Sequence, residues 1–99
     1  MNVRLTAVHI QRLACAVQAA MRNRNITLIC EQEDGCARKL VWYQGITRHV
    51  ICAGEGQQFE RLVQLARAEF AALFLAALQS ARRGVGAGER MDAMEEARR

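Results

Sequence analysis

The residues of this 99-residue chain whose side chains could bind a metal or take part in catalysis are foremost its four cysteines and two histidines. Zinc sites usually begin with a cysteine pair separated by about two to four residues. Cys30 and Cys36 have five residues between them, and neither Cys15 nor Cys52 forms a second pair. The N-terminal stretch lacks a signal-peptide pattern, so we expect a cytoplasmic location, where disulfides are uncommon. The thiols are therefore interpreted as small buried hydrophobes, with no metal and no cofactor.

Catalysis would require a nucleophile or a proton carrier with a defined neighbour. His49 is the best-placed histidine, but no spacing in the sequence puts a serine, a cysteine or a carboxylate beside it. We therefore predict that the chain is not an enzyme. His49 is interpreted as a packing residue or as part of the rim of a binding surface.

A long helix from Gln57 to Arg83 is the element that must organise the rest. Apolar residues recur every three or four positions along it, and Arg82, Arg83 and then Gly84 are typical of a helix C-terminus. The run from Phe70 to Leu78 is apolar on every side but is shorter than the about 20 residues that cross a bilayer, so no membrane partner is expected. Alanine is a good helix former, which alone would account for the alanines on the far side. Alternatively that side is a second packed surface, and we predict self-association through Leu65, Ala68, Ala72 and Leu75.

The other segments predict an α+β fold: a helix, a three-stranded antiparallel β-meander and the long helix (α-β-β-β-α), with a short C-terminal helix. The first helix covers about residues 3–22, capped by either Asn2 or Thr6, and the strands cover 26–31, 38–43 and 46–53. Residues 1–83 are predicted to form a single domain. Residues 84–99 are predicted to form a Gly-rich break and a short charged helical tail.

The hairpin turns predict which sheet face packs on the helices. If Asp34-Gly35 and Gln44-Gly45 are two-residue loops, then Leu28 faces Val41, Glu31 faces Arg38, Trp42 faces Thr47 and Lys39 faces Val50. The face predicted to take the helices carries Ile26, Leu28, Cys30, Ala37, Val41, Tyr43, Ile46, Val50 and Cys52. The opposite face is then either covered by the tail or the first helix, or left open as a partner interface. That predicted partner interface comprises Ile29, Leu40, Trp42, His49 and Ile51.

Charge is predicted to separate along the long axis of the domain. Acidic residues gather at one end, and Arg22 and Arg24 lie at the other, where they are the candidate nucleic-acid contacts. The acidic residues are Glu31, Glu33, Asp34, Glu55 and Glu60. Their end would suit a basic protein surface, although solvated charge is the commoner explanation.

The element order over residues 3–83 resembles that of the double-stranded-RNA-binding domain. That family contacts RNA through its first hairpin loop and the start of its last helix. The corresponding stretches here read Glu-Gln-Glu-Asp at 31–34 and Gly-Glu-Gly-Gln-Gln at 54–58, and both would repel phosphate. The sequence therefore argues against RNA binding by that mode.

Taken together, these patterns predict a small non-catalytic protein-binding module that self-associates as a homodimer or larger oligomer. Thirteen arginines against one lysine, with seventeen alanines, favour a GC-rich bacterial or phage source. A phage or mobile-element inhibitor of a host enzyme or defence complex fits that description. The alternative is a small nucleic-acid-binding or transcription-regulatory protein that uses an arginine cluster.

Overall fold

The fold is a pair of helices packed on one face of a small antiparallel sheet. The computed structural model describes residues 3–23 and 26–94, with side chains described for 3–23 and 26–82. The elements are α1 (Ala7–Asn23), β1 (Ile29–Glu31), β2 (Arg38–Gln44), β3 (Thr47–Gly54) and α2 (Gly56–Met94), with the sheet in the order β1-β2-β3. This confirms the predicted α+β fold of a helix, a three-stranded antiparallel sheet and a long helix.

The start of α1 is fixed by a reciprocal pair of hydrogen bonds. The backbone N–H of His9 donates to Thr6 Oγ1, and the backbone N–H of Thr6 donates to His9 Nδ1, both at 3.2 Å. Thr6, one of the two predicted caps, therefore satisfies a free N–H of the first turn. Asn2, the other predicted cap, lies outside the described residues.

The end of α2 differs from the sequence expectation. A stop was predicted at Arg83, but the helix continues through Gly84 to Met94. A glycine in a helix costs only about 1 kcal/mol relative to alanine, so it weakens a long helix without having to end it. The predicted tail helix ends in residues 95–99, which lie outside the described residues. This separate helix and the domain boundary at residue 84 stay predictions.

The β1–β2 connection shifts the first strand by one residue. The Cys36 N–H donates to the Glu33 carbonyl at 3.0 Å, closing a turn around Asp34 and Gly35, whose φ is 78°. Pairing then starts only at Glu31 with Lys39, because one extra residue is taken up on the β2 side of the turn. The predicted pairs Leu28–Val41 and Glu31–Arg38 are therefore wrong, and a one-residue shift exchanges the faces of β1 relative to those of β2.

The β2–β3 connection differs as well. The loop residues are Gly45 and Ile46 rather than Gln44 and Gly45. Gly45 has a φ of 63°, which a tight hairpin turn requires, and Ile46 is 98% exposed.

The predicted β2–β3 pairs are consequently wrong. Trp42 pairs with His49 rather than Thr47, and Lys39 pairs with Ala53 rather than Val50. The register changes between Leu40 and Val41, which leaves Ile51 as an extra, bulged residue.

These shifts decide which face of the sheet meets the helices. The face carrying Leu40 and Trp42 packs on α1 and α2, whereas Val41 belongs to the opposite face together with Ile29 and Val50, its partners in the ladder. The predicted face assignment is therefore wrong for β2 and for Val50, and right for Leu28 and Cys52. The bulge also lets both Ile51 and Cys52 be buried. The buried core cluster comprises Leu13, Ala16, Ala19, Leu28, Leu40, Trp42, Ile51, Cys52, Phe59, Val63 and Ala66.

The two helices run in the same direction and differ greatly in length. His9 lines one cleft with Phe59 and Leu62, and Met21 lines another with Phe74 and Leu78. At about 1.5 Å per residue, α1 is about 25 Å long and α2 is about 58 Å long. We call residues 3–23 and 26–73 the body, and residues 74–94 distal α2, which continues beyond the end of α1.

Candidate interaction surface

The predicted partner face is mostly interior. Leu40, Trp42 and Ile51 are buried in the core cluster, so the prediction that they form an exposed interface is wrong. Trp42 stacks on His49, with ring centroids 4.1 Å apart and an interplanar angle of 14°. Ile29 is 41% exposed, but it belongs to the opposite face of the sheet. The five residues therefore do not form one surface.

A cleft of about 310 Å³ near His49 is the site where chemistry would be sought first. It is lined by Arg12, Cys15, Trp42, Arg48, His49 and Val50. No spacing in the sequence predicted that Cys15 lies close to His49. The fold brings them together because α1 packs on this face of the sheet. His49 Nε2 is buried with no hydrogen-bond partner, so this nitrogen makes no bond to the Cys15 thiol of the kind that activates a nucleophile.

The cysteines are unpaired and mostly exposed. Cys15, Cys30 and Cys36 are exposed and only Cys52 is buried, so the prediction of small buried thiols is right for one of four. Leu40 pairs with both Cys30 and Cys52, which places the central strand between them as expected. Burial, and secondarily the nearby Cys30, raise the pKa of the Cys52 thiol. Among the described residues, no group of three or more histidines, cysteines or carboxylates could hold a metal ion.

The carboxylates predicted to form an acidic end are partly neutralised. Glu60 forms an ion pair with Arg38, whose guanidinium also lies 4.8 Å from the centre of the Phe59 ring. Glu31 accepts hydrogen bonds from Tyr43 and from Arg48 Nε, the latter at 2.8 Å, and these bonds lower the pKa of Glu31. Glu33, Asp34 and Glu55 are exposed.

The arginine pair predicted to contact nucleic acid is described only in part. Arg22 is exposed in the last turn of α1, and Arg24 lies outside the described residues. This role stays a prediction.

The side of α2 that was predicted from the sequence to mediate self-association is exposed. Leu65 and Leu75 are 39% and 57% exposed, and Ala68 and Ala72 are exposed between them. At about 100° per residue, these four residues lie on the side of α2 opposite Phe59, Val63 and Ala66, which enter the core. We call Leu65, Ala68, Ala72 and Leu75 the back stripe.

A second apolar surface was not predicted. A groove of about 850 Å³ lies where α2 passes the end of α1. Its lining residues are Ala20, Met21, Ile26, Phe70, Phe74, Leu78, Ala81 and Arg82. The rings of Phe70 and Phe74 are stacked with centroids 6.2 Å apart. The sequence assigned Phe70 and Phe74 to the core, because they continue the stripe that begins at Phe59.

The length of α2 was the signal that could have revealed the groove. A helix that continues well beyond its neighbour keeps its apolar stripe but loses the element that covers it. We call this surface the distal groove.

Part of α2 is long and apolar enough to cross a membrane. Within Gly56–Arg82, an 18-residue window has a mean hydropathy of 1.4, and 11% of that window is buried within the chain. The same stretch supplies Phe59, Val63 and Ala66 to the core, so inserting all of it in a bilayer would open the body. The expectation of no membrane partner stays a prediction.

Comparisons of this chain with protein-family models, with curated proteins and with solved structures found no match. The geometry of α2 is therefore the basis of the functional argument.

Proposed function

We propose that this chain is a non-catalytic protein-binding module, with α2 as its binding element. The observation that carries the proposal is the presence of apolar residues on two sides of one helix, in the distal groove and along the back stripe. Leu75 is 57% exposed, and Phe74 and Leu78 are only partly buried. Fully burying a side chain of this kind contributes about 1.5–3 kcal/mol, so covering these surfaces is favourable.

The distal groove has the shape and chemistry to accept an amphipathic helix from a partner protein. Two aromatic rings and a leucine from α2 form one wall, and Met21 and Ile26 contribute to the other. Arg82 at the groove favours a partner helix with an acidic residue next to its apolar face. The back stripe is available for self-association at the same time, because it lies on a different side of α2.

The proposed biological role is that of an inhibitor of a host enzyme or defence complex, encoded by a phage or mobile element and acting in the cytoplasm. Its support is compositional: a small, Arg-rich and Ala-rich chain of net charge +4. The nucleic-acid-binding alternative is supported by Arg22 at the end of α1 and by the same net charge.

A display library of amphipathic helical peptides tests the groove. We expect binders to the wild-type chain, and we expect Leu78→Asp to weaken them by about tenfold or more, because a carboxylate would be buried against apolar surface. Ser80→Asp is the matched control: it adds the same charge to an exposed position that does not line the groove.

Circular dichroism of both variants checks that the fold is retained. Binders that tolerate Leu78→Asp as well as Ser80→Asp would contradict the proposed groove, as would a library that yields none.

A further inference from the structure

We propose that two copies of this chain associate through their back stripes as an antiparallel, two-fold symmetric dimer. This inference rests on the self-association included in the proposed function, and it adds the orientation and register of the two helices. The experiments below are separate from the Leu78→Asp test of the distal groove.

The back stripe reads the same in both directions. Its order is Leu65, Ala68, Ala72, Leu75, with spacings of three, four and three residues. Two copies of α2 placed antiparallel, with the two-fold axis at the level of Phe70, bring Leu65 opposite the partner's Leu75. The same axis brings Ala68 opposite the partner's Ala72. A surface that is complementary to itself under a two-fold rotation is what a closed dimer requires.

The exposure and size of these residues suit close helix packing. The four residues continue a four–three repeat that begins at Arg61 and extends to Gln79, and all six are exposed. Alternating spacings of four and three keep a seam facing a neighbouring helix. The alanines lie at the centre, where the helices would be closest, and the larger leucines lie on either side. No described residue of the same chain covers this seam, since the core lies on the opposite side of α2.

The positions of the seam arginines favour the antiparallel orientation over the parallel one. In the antiparallel register, Arg82 reaches the level of Gln58 of the partner subunit, which is uncharged. Arg61 lies opposite the partner's Gln79, which is uncharged. In a parallel pair each arginine would lie opposite its own copy, and like charges so placed repel. A second copy of this chain, in reversed direction, is therefore the occupant that the seam fits.

Sedimentation and cross-linking test the dimer and its direction. The wild-type chain is expected to have twice its 11.1 kDa mass, and Leu75→Asp is expected to be monomeric with an unchanged circular dichroism spectrum. Ser80→Asp is the control and should remain dimeric. For the direction, Cys15, Cys30 and Cys36 are replaced by serine, and Arg61→Cys and Gln79→Cys are made in separate chains.

Each chain then has one exposed cysteine in addition to the buried Cys52. Oxidising a mixture of the two chains should give the 61–79 disulfide-linked dimer, while each chain alone should cross-link poorly. A disulfide needs Cα atoms within about 7 Å, and in an antiparallel pair equal positions lie far beyond that. Efficient cross-linking of each chain with itself would overturn the antiparallel dimer. A wild-type chain that stays monomeric at all concentrations would overturn it as well. So would a monomeric wild-type chain that binds phosphatidylglycerol vesicles and co-sediments with them.

Discussion

One helix, α2, belongs to two regions of different character. In the body, Phe59 and Ala66 are completely buried, held between α1 and the sheet. Farther along the same helix, Phe74 and Leu78 continue the stripe beside an open groove, and Leu75 on the other side is more than half exposed. The apolar repeat is the same in both regions. The difference shows that a repeat specifies which side of a helix is apolar, whereas the neighbouring elements determine whether that side is covered.

The largest expected difference between the regions is in the cost of removing a large side chain. Trp42→Ala is expected to lower the free energy of unfolding by about 3–5 kcal/mol, because the buried, stacked indole leaves a cavity in the core. Leu75→Ala should change it by no more than about 0.5 kcal/mol in dilute, monomeric protein, because the leucine is exposed. Urea titrations at low protein concentration measure both. Equal losses in the two variants would contradict the division into a packed body and an open distal region.

A smaller effect is expected where the start of α2 is joined to the sheet. Arg38→Ala should destabilise the body by about 1 kcal/mol, because it removes both the contact with the Phe59 ring and the ion pair with Glu60. Both charged groups are partly exposed, so solvent limits the contribution of the ion pair. Arg61→Ala, an exposed arginine on the same helix, is the control and should have almost no effect on the unfolding of the monomer. A change of similar size in both variants would mean that Arg38 does not hold the helix to the sheet.

The smallest effect concerns the pH dependence of stability and the face of the sheet that is opposite the helices. Hydrogen bonds from Tyr43 and Arg48 lower the pKa of Glu31 below its ordinary value of 4.5. The carboxylate therefore contributes stability above that value, and the contribution is lost as the pH falls through the lower pKa of the folded state. Glu31→Gln should be less stable than wild type at neutral pH, and the difference should shrink in acid.

Urea midpoints measured from about pH 7 down to about pH 3 follow this difference, with Glu33→Gln, an exposed carboxylate nearby, as the control. A constant difference across that range would contradict the role of the Glu31 carboxylate.

The sequence was sufficient for the element order but not for the sheet faces. Helical repeats and the Asp34-Gly35 signal depend on neighbouring residues, so they can be read from the chain alone. The faces depend on a single extra residue after the first turn and on the bulge at Ile51, and neither has a sequence signature. The extra residue places Leu40 and Trp42 on the same face as Leu28, and the bulge places Cys52 there as well. This is why Leu40 and Trp42 were expected at the surface and are found in the core.

Only part of the candidate site could be predicted from the sequence, and the reason is related. The back stripe could be predicted because Leu65 and Leu75 lie on the far side of α2 from the core residues, wherever the sheet packs. The distal groove could not be predicted from periodicity, because Phe70 and Phe74 follow the core stripe without a break. It arises from the end of α1 at Asn23, so it depends on the relative position of two elements.

The bulge at Ile51 also bears on how copies of this protein avoid unwanted aggregation. β3 lies at the sheet margin, where unpaired backbone groups could recruit a strand from another molecule and start a cross-β fibril. The irregularity interrupts that row of groups, and the carbonyl of Ile51 is already occupied by Arg12 Nη1 at 3.1 Å. The opposite margin, β1, offers only three residues. Strand addition is therefore disfavoured at both margins, which is consistent with the association through helices that we propose.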